Sequence, residues 1–163
     1  MKVLVVYFTK TGSTREASES LAGALRERGV DALALPGSGN PDPAGYDLVV
    51  IGAPIHGMQW LPEATDYISR RSAALGTVRT AYFCLSYIYP VGRPFWRKAV
   101  EKAFLPASKI VPPAKTAIFG GRVEESMPAF ARFIFGIPGT AGPDQTDRDA
   151  VLAWAAELAG IAG

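Results

Sequence analysis

The chain alternates between short continuous apolar runs and stretches in which apolar residues recur every three or four positions. The runs are rich in β-branched residues and too short for helices, so they predict buried strands. Five strands are predicted, at residues 3–6, 30–35, 47–52, 78–85 and 115–119, the last within a broader segment 109–121. Because strands that alternate with amphipathic helices need a parallel sheet covered on both faces, the pattern predicts a three-layer α/β fold.

Helical periodicity predicts four main helices. The first spans about residues 13–28 and ends at Gly29, a common C-cap residue. The second begins at Pro62 and ends near residues 70–71, and the third begins at Pro94. We interpret the apolar stripe of the third as core: Phe95, Trp96, Ala99, Val100, Ala103 and Phe104. The last helix is predicted to have its cap near Thr146, in the box 146–149, and to cover the sheet with Val151, Trp154, Ala155 and Leu158.

The turn between the first strand and the first helix has the chemistry of a phosphate site. It offers four hydroxyls, from Thr9, Thr11, Ser13 and Thr14, and Gly12 lets the backbone take unusual dihedrals. The helix N-terminus adds unpaired N–H groups and a partial positive charge. The loop motifs typical of nucleoside triphosphate and dinucleotide sites are absent. We therefore expect a single terminal phosphate here; the alternative is a capped turn without a ligand.

Residues 9–14 resemble the phosphate loop of flavodoxin-like proteins, which reads Thr/Ser-x-Thr-Gly-x-Thr, at each fixed position. The resemblance implies a flavodoxin-like three-layer sandwich with a five-stranded parallel sheet of order 2-1-3-4-5. It also implies that the chain is one domain, residues 1–163, with an extended segment at 122–144. The implied cofactor is FMN, its phosphate held by Thr9, Lys10, Thr11, Gly12, Ser13 and Thr14.

Two further loops are expected at the same edge of the sheet. In flavodoxin-like proteins the loops after the third and fourth strands lie against the flavin, which implies contacts from Ala53, Pro54, Ile55, His56, Gly57, Ser86, Tyr87 and Tyr89. For Trp60 two interpretations stand: it packs on the flavin ring with Met58, or it caps the core. His56 is the only histidine and therefore a candidate for proton transfer near neutral pH, although most loop histidines have no such role.

The segment 122–144 is long for a final strand-to-helix connection. Within it Phe130, Phe133, Ile134 and Ile137 have helical spacing, between Pro128 and Pro138. One interpretation is a short helix packed on the core or in a homodimer contact. The other is a lid or membrane-surface helix, with contact through residues 127–138, that admits an apolar substrate. On this interpretation nearby arginines, namely Arg122, Arg132 and Arg148, hold anionic groups of a porphyrin or a lipid.

The whole chain most resembles the bacterial flavodoxin-type protoporphyrinogen oxidases that use menaquinone. The matching features are residues 9–14, the Gly-Ala-x-Ile loop at 52–55, the entry 119–122 to the extended segment, and the closing stretch 146–155. The resemblance implies an FMN-dependent oxidoreductase passing electrons from a porphyrinogen-type donor to a quinone. The alternatives are a flavodoxin-type electron carrier between protein partners and an interaction module that binds no flavin.

Composition narrows these alternatives. The net charge of +2 is too mild for a nucleic-acid partner, and it differs from the strongly acidic electron-carrier flavodoxins. The single cysteine, Cys84, excludes an internal disulfide and is interpreted as a packing residue, and no metal site is expected. No apolar run approaches the length of a membrane span, and the N-terminus lacks the features of a signal peptide. We expect a cytoplasmic protein, with association to the inner face of the membrane as the open alternative.

Overall fold

The computed structural model describes residues 1–123 and 127–162, without the side chain of residue 162, so residues 124–126 of the extended segment lie outside the description. The strands are β1 Lys2–Tyr7, β2 Asp31–Pro36, β3 Leu48–His56, β4 Gln59–Trp60, β5 Arg79–Ser86 and β6 Lys115–Gly120. The helices are α1 Ser13–Glu27, α2 Pro62–Arg70, α3 Ser72–Leu75, α4 Ile88–Val91, α5 Pro94–Glu101, α6 Leu105–Ile110, α7 Ala129–Phe135 and α8 Arg148–Ala162. A 3₁₀ turn spans Gly37–Gly39.

Five strands form a parallel sheet in the order β2-β1-β3-β5-β6, and the short β4 pairs antiparallel with the end of β3. Without β4, this is the predicted order 2-1-3-4-5, so the predicted topology is confirmed. The chain crosses from one side of β1 to the other, which places the carboxyl ends of β1 and β3 next to each other at the switch point. Ligands of open α/β sheets bind at such a point.

Two apolar cores cover the two faces of the sheet. On one face α1 and α8 pack against β-strand residues, and the predicted face of α8 is buried, with Trp154 against Phe83 and Phe119. On the other face α2, α5 and α6 enclose Trp60, Tyr82 and Phe104. The central strands are almost fully apolar. They are buried because helices cover both faces of the sheet.

The third strand is longer than predicted. Residues 53–56, expected in a loop, continue β3 and then fold back as a hairpin with β4. Pro54 lies within this extension, although proline cannot donate a hydrogen bond to a strand ladder. The Gly52 carbonyl accepts the Phe8 N–H on the side of β3 that pairs with β1. The backbone of residue 54 faces the same side, but the pairing with β1 ends at Gly52. The missing N–H of Pro54 therefore costs no hydrogen bond within the sheet.

Two predicted apolar faces are partly wrong. In α5 Val100 is buried, but Phe95 is 72% exposed. In α7 the predicted face points outward, with Phe130 and Phe133 at least 70% exposed and Ile134 half exposed, while Ile137 beyond the helix is buried. Of the interpretations of this segment, packing on the protein's own core fails for these three side chains, while a homodimer contact and a lid or membrane contact stay open.

The cap of α8 lies one residue later than predicted. Asp147, not Thr146, is the N-cap, because its carboxylate Oδ1 accepts the Ala150 N–H at 3.0 Å. Thr146 instead donates both its N–H and its hydroxyl to the Asp144 carboxylate. Asp144 in turn forms an isolated antiparallel bridge with Arg122, which closes the base of the extended segment.

Candidate functional site

A cleft of about 370 Å³ opens at the carboxyl edge of the sheet, where β1, β3, β5 and β6 end. Its volume lies in the range of small-molecule and cofactor sites. Each of the three predicted loops contributes to its wall: Lys10, Thr11 and Ser13 from the first; Pro54, Ile55, His56, Gly57 and Met58 from the second; and Ser86, Tyr87 and Ile88 from the third. A second cavity, of about 220 Å³ beneath the N-terminus of α8, shares only Ser13 and Leu85 with it.

The first loop turns sharply into α1. Gly12 is the N-cap with φ +89°, a left-handed conformation that glycine adopts without strain, and its N–H donates to the Thr9 hydroxyl at 2.9 Å. The hydroxyls of Thr11 and Ser13 lie 3.1 Å apart. Thr9 is therefore occupied in shaping the turn, while Thr11 and Ser13 line the cleft.

Thr14 provides the test of whether this loop fits an anion. Its side chain is fully buried, yet its Oγ1 has no hydrogen-bond partner among the described residues. Burying a hydroxyl without a partner costs about 1–3 kcal/mol, so such atoms in native proteins call for an explanation. A phosphate at the N-terminus of α1 would accept this hydroxyl together with the first N–H groups of the helix. The residues of the loop thus fit a phosphate group.

The second loop is a tight hairpin turn. Gly57 and Met58 both have positive φ, +59° and +60°, between the paired residues His56 and Gln59. Two such residues define a type I′ turn, which usually contains Asn-Gly or Asp-Gly. Met58 is therefore strained, because a side chain in the left-handed region costs about 1–2 kcal/mol. The turn places the exposed His56 at the rim of the cleft.

The two candidate tyrosines of the third loop point in different directions. Tyr87 lines the cleft, and its buried hydroxyl donates to the Gly142 carbonyl at 2.9 Å. Tyr89 points away, with its hydroxyl on the Glu101 carboxylate and the Arg97 guanidinium over its ring. Ser86 lines the cleft, and its Oγ accepts the Tyr89 N–H.

Several predicted contacts are not in the cleft wall. Tyr89 is excluded by its orientation toward α5, and Ala53 is fully buried within β3. Trp60 belongs to the core, because its Nε1–H is shared between the Ala53 and Phe83 carbonyls at 3.2 Å each. Of the two interpretations of Trp60, capping of the core is therefore correct.

Residues after β6 form a fourth wall of the cleft, where one of the two interpretations of the extended segment places a lid. Arg122, Val123, Met127 and Phe135 all line the cleft. The Arg122 guanidinium donates to both carboxylate oxygens of Glu16, at 3.0 and 3.1 Å, and reaches the Thr11 carbonyl at 3.4 Å. The sequence named Arg122 as a cation of this segment but gave no sign of its contacts with Glu16 and Thr11. The structure therefore brings the extended segment to the phosphate loop.

Large pKa shifts fall in the core rather than in the cleft. Burial raises the pKa of Tyr67 and of Tyr82 to about 12. Burial also raises the pKa of the Cys84 thiol strongly, as expected for a packing residue. At the base of the extended segment, hydrogen bonds from Thr146 lower the pKa of Asp144. No cluster of potential metal ligands occurs among residues 1–123 and 127–162.

The comparison with family models matches residues 4–149 to the flavodoxin domain. This chain belongs to that family. Among curated proteins, protoporphyrinogen IX dehydrogenase [quinone] of Escherichia coli K12 is 28% identical over 90 residues, which are 54% of this chain. The chain spans about half the length of the curated relatives it matches.

Solved structures agree on the fold. Oxidised flavodoxin 1 from Bacillus cereus superposes with a TM-score of 0.59 at 15% identity, covering 98% of each chain. A flavoprotein from Lactobacillus acidophilus in complex with FMN superposes with a TM-score of 0.55 at 15% identity, covering 72% of this chain and 92% of its own. FMN, the cofactor expected from the sequence, is the cofactor of this family. Within the described residues, every helix is too short or too polar to span a membrane.

Proposed function

We propose that this protein is an FMN-dependent oxidoreductase that passes electrons from an apolar, porphyrinogen-type donor to a quinone. The observation that supports it most is the composition of the cleft. One end has hydroxyls, Lys10 and a helix N-terminus, which suit a phosphate. The wall from the extended segment has Val123, Met127 and Phe135, which suit an apolar ring system.

The chain's own residues would divide the work by position. Thr11, Ser13 and Thr14 would hold the phosphate, and the hairpin turn with Tyr87 would flank the flavin. Bound FMN supplies the redox chemistry, and the protein supplies orientation and electrostatics. In each cycle the donor loses two electrons and two protons, and the quinone gains both and becomes a quinol. His56, at the rim, is placed to exchange a proton with solvent.

The relative from Escherichia coli supports this assignment only over 90 matched residues. The family also includes electron carriers, and an electron carrier would show no reaction with a quinone beyond that of free flavin. The two functions therefore differ in one assay.

The assay uses protein reconstituted with FMN under anaerobic conditions. A porphyrinogen is the donor, menadione is the acceptor, and porphyrin fluorescence reports turnover. Free FMN at equal concentration controls for uncatalysed oxidation, and Phe133→Ala, at an exposed residue outside the cleft, controls for handling of variants. Turnover well above free FMN supports the proposal. A rate equal to that of free FMN contradicts it and favours the carrier.

A further inference from the structure

Four large apolar side chains are exposed on α5 and α7, two helices that contact each other. Phe95 on α5 is 72% exposed, and on α7 Phe130, Phe133 and Ile134 are 70%, 76% and 50% exposed. We call these four residues the aromatic patch. Single exposed apolar residues are ordinary, but several of them on two helices in contact are typical of an interaction surface.

Contacts between α5 and α7 hold the patch in this orientation. The Trp96 Nε1–H donates to the Ile134 carbonyl at 3.0 Å, and the Arg93 N–H donates to the Phe135 carbonyl at 2.9 Å. The Arg93 guanidinium adds a bond to the Phe133 carbonyl and lies over the Phe133 ring. The Ile134 and Phe135 carbonyls lie in the last turn of α7, where helical partners run out, while the Phe133 carbonyl also accepts the Gly136 N–H. The helix is therefore fixed with its apolar face outward.

Gly136 makes this docking sterically feasible. It ends α7 with φ +70°, and a Cβ at this position would lie 2.1 Å from the Arg93 Cγ. Any other residue would force the Arg93 side chain to move from the end of α7 and would also be strained by the positive φ. The exposure of the patch thus follows from specific contacts rather than from a loosely attached helix.

The surroundings of the patch are basic. Residues 93–102 and 127–138 contain five basic side chains, Arg93, Arg97, Lys98, Lys102 and Arg132, and one acidic side chain, Glu101. The rest of the chain then has 12 basic and 14 acidic residues out of totals of 17 and 15. Lys98 and Lys102 follow Phe95 at helical spacing, so they lie on the same side of the helix. Excess positive charge is therefore concentrated around the aromatic patch.

We propose that this surface binds an anionic membrane, with the aromatic patch inserted among the acyl chains and Lys98 and Lys102 on the lipid headgroups. Aromatic residues beside Lys and Arg are the pattern of interfacial membrane binding. A second copy of the chain fits less well, because a two-fold contact through the patch would set the same basic residues against one another. Side chains that stand this far out would also need matching pockets on a protein partner, whereas acyl chains need none.

The patch adjoins the mouth of the cleft. Phe135 lines the cleft and packs edge-on against Trp96, whose ring in turn contacts Phe95. Membrane binding through the patch would hold the cleft close to the lipid surface, from which a quinone can enter. This consequence rests on the proposed function, whereas the membrane contact itself does not.

The test measures co-sedimentation of the FMN-loaded full chain with vesicles of phosphatidylcholine, alone or with 30% phosphatidylglycerol. Two variants address the surface: Phe130→Ser with Phe133→Ser, and Lys98→Glu. Two controls lie elsewhere: Leu33→Ser on the far edge strand β2, where Leu33 is 45% exposed, and Lys2→Glu at the start of β1. Circular dichroism and FMN content check that each variant folds.

Wild type and both controls should bind the anionic vesicles more tightly than the neutral ones. Phe130→Ser with Phe133→Ser should lose binding to both vesicle types. Lys98→Glu should weaken binding to anionic vesicles by at least about fivefold, since each basic residue near such a surface contributes ~1 kcal/mol. Equal binding of the surface variants and the controls, or no binding by wild type, overturns the proposal.

Two further outcomes separate this inference from the proposed function. A dimer in sedimentation velocity that dissociates in Phe130→Ser with Phe133→Ser would assign the patch to a second copy and overturn the membrane proposal. Reduction of water-soluble menadione is measured in parallel without vesicles. Vesicle binding without menadione turnover would support the membrane proposal and contradict the proposed enzymatic function. Menadione turnover without vesicle binding would support the enzymatic function and contradict the membrane proposal.

Discussion

Arg122 and Glu16, 106 positions apart in the sequence, form a bidentate ion pair at the phosphate loop, with N–O distances of 3.0 and 3.1 Å. The same guanidinium reaches the Thr11 carbonyl at 3.4 Å. The pair joins the start of the extended segment to the first turn of α1. It thereby places a positive charge, balanced by a carboxylate, next to the proposed position of the FMN phosphate.

This pair predicts opposite effects of two substitutions on FMN binding. Arg122→Ala should weaken binding, because a cation beside a dianion is lost, and Glu16→Gln should strengthen it, because a competing carboxylate is lost. Each effect should be about fivefold, since a partly exposed charge pair contributes at most ~1 kcal/mol. Fluorescence titration of FMN at low and high salt measures both. Both effects should shrink at high salt, and an unchanged affinity in Arg122→Ala at low salt would show that Arg122 does not act on the phosphate.

Substitution of Thr14 should change the stability of the FMN-free protein and its affinity for FMN in opposite directions. Thr14→Val removes the buried hydroxyl that has no partner among the described residues, so the FMN-free protein should gain about 1 kcal/mol, or ~2–4 °C in Tm. FMN affinity should fall at the same time, because the hydroxyl is proposed to bind the phosphate.

Ser18 provides the matched control for Thr14. It lies one helical turn further along α1, is equally buried, and its Oγ also lacks a partner among the described residues. Ser18→Ala should raise the Tm of the FMN-free protein in the same way and leave FMN affinity unchanged. Loss of FMN binding in both variants would mean that α1 was distorted and that the Thr14 result says nothing specific about phosphate.

His56 predicts a kinetic effect without a binding effect. Its side chain is at the rim of the cleft, where it contacts solvent. If it transfers a proton, His56→Ala should slow turnover near neutral pH, alter the pH–rate profile and leave FMN bound. Gln59→Ala, across the hairpin from His56, controls for loss of a polar side chain at the same turn. A profile identical to that of wild type would remove His56 from the reaction.

The extended segment predicts a difference between apolar and soluble acceptors. Replacing residues 127–139 with a short Gly/Ser linker removes Met127 and Phe135 from the cleft wall. FMN content and fold should persist, and so should reduction of small soluble dyes, while reduction of quinones should be lost. With a quinone in solution and no membrane present, Phe135→Ala should raise the KM for quinone, and Phe133→Ala, outside the cleft, is its control. Unfolding of the linker variant, seen as a collapsed Tm, would assign the segment a structural role instead.

Cys84 predicts a thiol that is unreactive in the folded protein. Burial raises its pKa, so the nucleophilic thiolate is suppressed, and the side chain is also inaccessible. Ellman's reagent at pH 8 should label Cys84 only after denaturant is added. Rapid labelling of the native protein would contradict its burial in the core.

The sequence predicted what depends on local pattern. Continuous apolar runs predicted buried strands such as β1 and β5, and periodic apolar residues predicted the buried face of α8. The hairpin at Gly57 was missed because Gly-Met is not a usual type I′ sequence. A turn with positive φ at Met58 is fixed by tertiary contacts that no short-range pattern contains.

The orientations of α7 and Tyr89 depended on distant residues. Aromatic residues occur on more than one face of α7, so periodicity alone did not decide which face is buried. Bonds from Trp96 and Arg93 to the last carbonyls of α7 decide it. Tyr89 is likewise turned away from the cleft by Glu101 and Arg97 on α5. Such choices are set by side chains about 10 to 40 positions away, beyond the reach of local pattern.

The central claim is that FMN binds with its phosphate on the hydroxyl-rich loop, and the most direct test is titration of FMN into the FMN-free protein. Three proteins are compared: wild type, Thr11→Ala with Thr14→Ala, and Lys10→Ala. We predict a large loss of affinity in the double variant and a small one in Lys10→Ala, because inward hydroxyls and helix N–H groups bind the phosphate better than an exposed, flexible ammonium. A dominant effect of Lys10→Ala, with little effect of the double variant, would contradict the account.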